Sequence, residues 1–198
     1  THKRKLHHGQ TVWQARRMPS LPIKRLSRNL RCDALIVGAG ISGAMLAESL
    51  SAEGLDVIVI DRRRPLSGST SASTSLIQYE IDTPLSKLST EIGKQRAQAI
   101  WRRSRLALDT LRERISILNI EADCMRCDTL YLDGDVLDAE GLRAEGVARR
   151  EIGLECAWLS PRHVAERFGI KGRSALLGFD NLGADPIRLA AGFLRAAA

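Results

Sequence analysis

Three glycines and one aspartate stand at a spacing suited to binding a phosphate-containing ligand. Gly38, Gly40 and Gly43 form the pattern G-x-G-x-x-G, and Asp61 follows 21 residues after Gly40. In a strand-turn-helix unit the first glycine permits a tight turn, the second lets a pyrophosphate approach the backbone, and the third lets the helix pack closely on the strand. The free N–H groups and positive dipole end of the helix then favour phosphate oxygens.

The segments around these residues predict a βαβ unit. Residues 33–38 and 55–60 are short apolar runs rich in branched residues, typical of parallel strands buried on both faces. Small and apolar residues recur between them at helical spacing, and Gly54 marks the predicted helix end. Asp61 follows the second strand, where a carboxylate can accept hydrogen bonds from ribose hydroxyls. This context favours a dinucleotide site over a glycine-rich turn in an unrelated α/β protein. The predicted contacts also include the neighbours Ile41, Ser42 and Arg62.

The glycine pattern alone leaves NAD and FAD open, because both cofactors contain the same adenosine diphosphate half. A stretch rich in hydroxyl side chains, residues 65–75, begins a few residues after Asp61. Such a segment can bring several N–H and O–H donors to a pyrophosphate or a flavin edge. The alternative is a flexible Ser/Gly linker, but the immediate return to Leu-Ile-Gln-Tyr at residues 76–79 argues against it.

These motifs together resemble the FAD-dependent oxidoreductases of the D-amino acid oxidase (DAO) superfamily, which includes glycine and sarcosine oxidases. The resemblance is carried by residues 32–43, Asp61, residues 68–74 with 76–78, and residues 184–189. It implies FAD held by the glycine loop with Asp61 on the ribose, and Gln78 and Tyr79 near the flavin ring. By the same resemblance, the pyrophosphate and flavin are lined by Ser69, Thr70, Ser73 and Thr74.

The resemblance also implies a fold and a reaction. The expected fold is a Rossmann-like parallel α/β core followed by the start of a mixed α+β substrate domain. The predicted domains are a basic tail (1–31), the FAD-binding core with the hydroxyl-rich loop (32–81), and a partial substrate domain (82–198). The implied reaction is oxidation of a C–N bond in an amine or amino acid by hydride transfer to flavin, with oxygen or another compound as electron acceptor. No residue is assigned as catalytic acid or base.

One departure from the family pattern affects the function. Members are longer and return to the nucleotide domain after the substrate domain, and these residues contain neither that return nor a C-terminal glycine-rich flavin loop. We therefore expect a fragment or truncated reading frame, with enzymatic activity belonging to a longer chain. The alternative is a non-catalytic remnant that keeps the nucleotide fold. An NAD-dependent dehydrogenase is a third alternative, which the hydroxyl-rich loop disfavours.

Composition bounds the other classes. The chain of 198 residues is 44% hydrophobic and 27% charged, as is usual for globular domains. Its net charge of +7 comes from the tail, because residues 1–31 hold nine basic and no acidic groups. The tail is expected to be solvated, with contact to polyanions or acidic lipids as the alternative. With no membrane-spanning run and no apolar export segment after Arg16 and Arg17, we predict a cytoplasmic protein without specific nucleic-acid binding.

The remaining features predict scaffold. Cys124 and Cys127 have C-x-x-C spacing, but no second pair or matching histidines follow, so reduced structural thiols are favoured over a zinc or redox site. A long amphipathic helix is expected over residues 91–118 and a strand over 129–134. His163 is interpreted as a surface residue. Helix N-caps are predicted at Asp138, Ser160 and Asp185.

Overall fold

The computed structural model describes residues 9–198, and the histidines and basic residues of the first eight positions lie outside this range. The strands are β1 (Ala34–Val37), β2 (Val57–Ile60), β3 (Leu76–Ile77), β4 (Met125–Leu132), β5 (Cys156–Leu159) and β6 (Ala175–Gly183). The helices are α1 (Ile41–Ala52), α2 (Leu85–Ile92), α3 (Lys94–Ile117), α4 (Ala139–Glu151), α5 (Pro161–Phe168) and α6 (Pro186–Ala196), with a short 3₁₀ helix at Ser69–Ala72.

The chain forms two compact units that alternate along the sequence. Among the described residues, unit 1 contains residues 9–75, 115–124 and 184–198, and unit 2 contains residues 76–114 and 125–183. The chain therefore enters unit 2, returns briefly to unit 1, and returns again at α6. The domain division at residues 81 and 82 stays a prediction, since these units are defined by contacts rather than by function.

Unit 1 holds the predicted βαβ unit. Strands β1 and β2 pair in parallel with Ala34 opposite Val57, so the parallel arrangement is confirmed. Burial of β1 on both faces is wrong: Ile36 is buried, but Leu35 and Val37 are 58% and 79% exposed. The reason is that unit 1, as described, contains a two-stranded sheet, with α1 contacting both strands. Helix α6 packs on α1.

Unit 2 is built around β6, which pairs antiparallel with β3, β4 and β5. Strands β4 and β5 pair with the same residues of β6, Ala175 to Gly178, and therefore lie on its two opposite edges. A bulge interrupts β4 between Cys127 and Thr129, at the end of the C-x-x-C motif. Unit 2 contains both helices and strands, as predicted. Strand β4 begins at Met125, four residues before the start of the strand predicted over 129–134.

The core of unit 2 contains a buried ion pair. Glu145 on α4 is fully buried, and its Oε1 accepts a hydrogen bond from Arg149 Nε at 2.7 Å. The same carboxylate accepts the backbone N–H groups of Leu85 and Ser86 at 2.9 and 2.7 Å, so a side chain of α4 caps α2. The Arg149 guanidinium also stacks 4.5 Å from the ring of the fully buried Trp101. Burial alone would raise the pKa of Glu145, but the Ser86 hydrogen bonds and the Arg149 charge outweigh it and hold the pKa below its ordinary value.

Several local predictions are confirmed. Asp138, Ser160 and Asp185 each accept backbone N–H groups at the start of a helix, as capping residues do. The long helix predicted over 91–118 is present as α3, which begins three residues later than predicted. Residues 91 and 92 belong instead to α2, which ends before Gly93, whose φ is +89°.

Candidate functional site

The glycine loop connects β1 to α1 in unit 1, and its backbone geometry requires glycine at two positions. Gly38 has a φ of +116°, which side-chain-bearing residues rarely adopt. A Cβ on Gly43 would lie 1.9 Å from the carbonyl oxygen of Gly38, so only glycine allows this approach of α1 to β1. A Cβ on Gly40 would lie 3.0 Å from Thr70 Oγ1, which is closer than an ordinary van der Waals contact. The tight turn and the close packing expected of the motif are both present.

Asp61 lies directly after β2 and holds the glycine loop. Its Oδ2 accepts the backbone N–H of Ala39 and its Oδ1 accepts that of Arg63, both at 2.9 Å. These two hydrogen bonds, first that of Arg63 and then that of Ala39, lower the pKa of Asp61, and the positive charges of Arg63 and Arg62 add to the effect. The carboxylate is exposed and therefore ionised at neutral pH with acceptor capacity to spare. Arg62 is also exposed.

The hydroxyl-rich loop meets the N-terminus of α1 through Thr70. Thr70 is buried in the 3₁₀ helix, and its Oγ1 accepts the backbone N–H of Ile41 at 3.0 Å. The loop is also held by the backbone N–H of Leu66, which donates to the carbonyl of Ala39 at 3.1 Å. The chain thus brings together two segments about thirty residues apart. Sequence reasoning grouped Thr70 with the site but missed its contact with Ile41, because nothing in the local pattern specifies it.

The other predicted hydroxyl residues surround this contact with different exposures. Ser69, Ser73 and Thr74 are exposed, and Ser73 Oγ accepts the backbone N–H of Ser75 at 3.0 Å. Gln78 belongs to unit 2, where it follows β3 and is exposed. Tyr79, also in unit 2, is 1% exposed, and burial raises its pKa to about 12. The roles of Gln78 and Tyr79 near a flavin stay predictions.

The N-terminus of α1 meets the requirements of a phosphate site. The first intrahelical hydrogen bond is donated by Ala44 to the carbonyl of Gly40. The preceding N–H groups of Ser42 and Gly43 therefore have no acceptor within the helix. Gly40, the N-cap, brings no side chain to cover them. The glycines, free N–H groups and Asp61 carboxylate thus fit the adenosine diphosphate half of a dinucleotide.

Residues of the N-terminal segment contact the hydroxyl-rich loop, which the expectation of a solvated tail missed. Trp13 Nε1 donates to the carbonyl of Ser73 at 2.8 Å, and Gln14 Nε2 donates to Ser71 Oγ at 3.1 Å. Trp13 and Gln14 are half-buried. The sequence did hold one signal, since Thr11-Val-Trp-Gln14 has the S/T-x-x-Q spacing of a helix capping box.

The structure also bears on the cysteines and on membranes. Cys32, Cys124, Cys127 and Cys156 are free, and burial raises the pKa of the last three thiols. Within residues 9–198 no group of three or more metal-ligating side chains converges. In the same range no helix is both long and apolar enough to cross a bilayer.

The chain belongs to the FAD dependent oxidoreductase (DAO) family, whose sequence profile matches residues 33–198. The family's cofactor is FAD, and the resemblance identified from the motifs is confirmed. A curated relative is the Bacillus subtilis protein YhfW, whose name describes a Rieske 2Fe-2S iron-sulfur protein. It is 22% identical over 147 residues, which cover 74% of this chain and 28% of YhfW.

Solved structures share the fold. L-amino acid deaminase from Proteus vulgaris superposes with a TM-score of 0.66 at 17% identity, over 88% of this chain and 45% of that protein. L-proline dehydrogenase from P. horikoshii gives 0.65 at 18% identity, over 83% and 41%. Glycine oxidase from Bacillus cereus gives 0.58 at 18% identity, over 84% and 44%. This chain therefore spans less than half the length of these structures, and about a quarter of YhfW.

Proposed function

We propose that unit 1 binds the adenosine diphosphate half of FAD, and that the chain is part of an oxidoreductase acting on the C–N bond of an amine or amino acid. The observation that carries the proposal is the convergence at the N-terminus of α1. The glycine loop, the Asp61 carboxylate and the Thr70 hydroxyl meet there, although they come from three separate segments. Family membership gives FAD as the dinucleotide.

The residues have distinct tasks in this proposal. The N–H groups of Ser42 and Gly43 bind the pyrophosphate at the positive end of α1, and Gly40 leaves room for it. Asp61 accepts hydrogen bonds from the ribose hydroxyls while its other interactions hold the glycine loop in place. Further donors toward the pyrophosphate and flavin are the exposed hydroxyl groups of Ser69, Ser73 and Thr74. Gln78, which lies in unit 2, stays a flavin contact implied by the family resemblance alone.

When bound, FAD supplies the hydride acceptor for oxidation of the C–N bond. The substrate class is supported by the solved structures of like fold, among which are an L-amino acid deaminase, an L-proline dehydrogenase and two glycine oxidases. The oxidised product of such a substrate is an imine, which water hydrolyses to a carbonyl compound and an amine or ammonia. We assign no catalytic acid or base among the described residues.

The electron acceptor is oxygen or another compound, and the two differ in a simple assay. Oxygen consumption during turnover of the complete protein identifies an oxidase, whereas turnover only with an artificial dye identifies a dehydrogenase. The name of YhfW adds an iron-sulfur centre to the acceptors that merit testing. The proposal places the protein in the cytoplasm, in keeping with its four free thiols.

A non-catalytic remnant that keeps the nucleotide fold is the second candidate. The exposed apolar residues Leu35 and Val37 on β1 are compatible with this candidate and equally with a longer chain whose further strands cover them. The two candidates differ in what happens after cofactor binding. Bound flavin that is bleached anaerobically by an amino acid supports the oxidoreductase, and bound flavin that no amine bleaches supports the remnant.

The decisive experiment is an absorption spectrum of the purified chain after addition of FAD and gel filtration. Retention of the flavin bands is expected, and a colourless protein would contradict binding by this chain. Asp61→Ala removes the ribose acceptor and the loop contacts and should weaken FAD binding about tenfold or more. The matched control is Glu53→Ala, which removes an exposed carboxylate at the other end of α1 and should leave the affinity unchanged. NADH fluorescence in a parallel titration tests the dehydrogenase alternative.

A further inference from the structure

We propose that a turn preceding the nucleotide-binding unit, residues 11–16, is a brace that positions the hydroxyl-rich loop for the cofactor. Trp13 and Gln14 are its positioning residues. The inference rests on the proposed FAD site and adds to it two residues outside the family match, which begins at residue 33. All contacts that carry the inference lie within unit 1.

Residues 11–15 form a turn that is closed by hydrogen bonds among its own residues. Thr11 Oγ1 accepts the backbone N–H of Gln14, and Gln14 Oε1 accepts the backbone N–H of Thr11, both at 3.3 Å. This reciprocal pair is a capping box, and it closes a single helical turn in which Ala15 donates to the carbonyl of Thr11 at 3.1 Å. One turn of helix is too short to be stable alone. Its conformation therefore depends on what it contacts.

Two side chains of the turn form hydrogen bonds with the hydroxyl-rich loop. The indole N–H of Trp13 donates to the carbonyl of Ser73 at 2.8 Å, and the Gln14 amide donates to Ser71 Oγ at 3.1 Å. Ser71 is buried and passes the contact on, since its hydroxyl donates to the carbonyl of Gly68 at 3.0 Å. Thr70 lies between Gly68 and Ser71 in the sequence, and its Oγ1 accepts the backbone N–H of Ile41, the first residue of α1.

The far side of the turn is anchored to unit 1 through Arg16. Its guanidinium lies 3.0 Å from Asp123 and 3.4 Å from Asp185, and it also stacks 5.7 Å from the Trp13 ring. Asp185 is the buried N-cap of α6, so it is fixed by that helix. The turn is thus held between a rigid helix start and the loop, which is the arrangement of a brace rather than of a free tail.

The test compares Trp13→Phe, Gln14→Ala and the double variant with the wild-type chain. Trp13→Phe keeps an aromatic ring, although a smaller one, and removes the indole N–H. The matched control is Trp158→Phe in unit 2, because the indole N–H of Trp158 is buried without a hydrogen-bond partner among the described residues, so the substitution removes no hydrogen bond. Two quantities are measured: amide hydrogen exchange in the FAD-free chain, and the dissociation constant for FAD.

In the double variant we expect exchange at residues 69–75 to become about fivefold to twentyfold faster, and FAD binding to weaken by a similar factor, as befits the loss of two hydrogen bonds. Exchange in α1 and α6 and the urea midpoint should stay unchanged. Equal FAD affinities, or faster exchange throughout unit 1, would overturn the brace, the second result showing a merely structural role. If the wild-type chain itself fails to bind FAD, the proposed function fails while the exchange measurement still decides the brace.

Discussion

The two units differ in how far their apolar strands are buried. In unit 2 the central strand β6 is flanked on both edges, and Ala175, Leu176 and Leu177 are at most 3% exposed. In unit 1 the corresponding apolar strand β1 buries Ile36 alone and leaves Leu35 and Val37 largely exposed. Unit 2 thus completes its own core, whereas unit 1 concentrates its specific contacts at the carboxyl ends of its two strands.

The difference shows where each unit gets its specificity. Unit 2 buries charges among apolar residues, with Glu145 satisfied by Arg149 and by two backbone N–H groups. At the candidate site of unit 1, by contrast, the charge of Asp61 is exposed and available to a ligand. Removing one partner of a buried charge pair destabilises the fold strongly, because the other charge stays buried and unpaired. Removing an exposed charge changes ligand binding with little effect on stability. Substitutions in the two units should therefore differ in what they damage.

The largest effect is expected from Glu145→Ala. It leaves the Arg149 guanidinium buried without its carboxylate and uncaps α2, so the free energy of unfolding of unit 2 should fall by about 3–5 kcal/mol. Urea unfolding followed by tryptophan fluorescence measures this. The control is Glu151→Ala on the same helix. The Glu151 side chain is 50% exposed and forms an ion pair with Lys94, so its removal should cost less than about 1 kcal/mol. Equal losses would contradict a special role for the buried pair.

A comparison of two leucines tests the burial difference directly. Leu176→Ala on β6 should cost about 2–5 kcal/mol, because Leu176 is fully buried against Leu142 and Cys156. Leu35→Ala on β1 should change stability by no more than about 0.5 kcal/mol. Urea midpoints of both variants give the result. A large loss from Leu35→Ala would mean that the exposed face of β1 is covered in solution.

Gly43→Ala should affect unit 1 by about 1–3 kcal/mol, since the new Cβ collides with a backbone oxygen that cannot rotate away. FAD retention should be lost with it, because α1 moves off the glycine loop. The control is Gly134→Ala in unit 2, where a Cβ meets only the flexible end of Arg173 at 3.1 Å. Normal FAD retention in Gly43→Ala would refute the close approach as a requirement of the site.

The smallest effect is the pH dependence from Asp61. Its pKa in the folded protein lies below the ordinary 3.8 because two backbone N–H groups favour the ionised form. Its contribution to stability is therefore complete above pH 3.8 and is lost as the pH falls through the lower folded value. Unfolding free energies measured from about pH 6 to about pH 3 should decline less steeply in Asp61→Asn than in the wild type. Identical slopes would show that the two hydrogen bonds do not persist in solution.

Much of unit 1 and several helix starts in both units were predictable because their signals are local. The glycine pattern with its flanking apolar runs predicted the parallel pair, and the helix starts at Asp138, Ser160 and Asp185 followed from capping chemistry. The start of α3 was predicted three residues too early, because the apolar periodicity begins only at Ala97 and does not fix where the helix starts; the positive φ of Gly93 separates α3 from α2. Burial of β1 was wrong because composition cannot report how many strands flank a given one.

Within this chain, the sequence by itself determined the glycine turn, the position of Asp61 and the order of helices and strands, since these depend on residues within one or two turns of each other. Tertiary structure decided which distant groups meet. The Thr70 hydroxyl accepts a hydrogen bond from the N–H of Ile41, and the Trp13 indole donates one to the carbonyl of Ser73. The Glu145 carboxylate accepts the backbone N–H of Leu85 in the first turn of α2. Such contacts join groups about 30 to 60 residues apart in sequence. Their formation depends on the packing of whole elements, which no local pattern encodes.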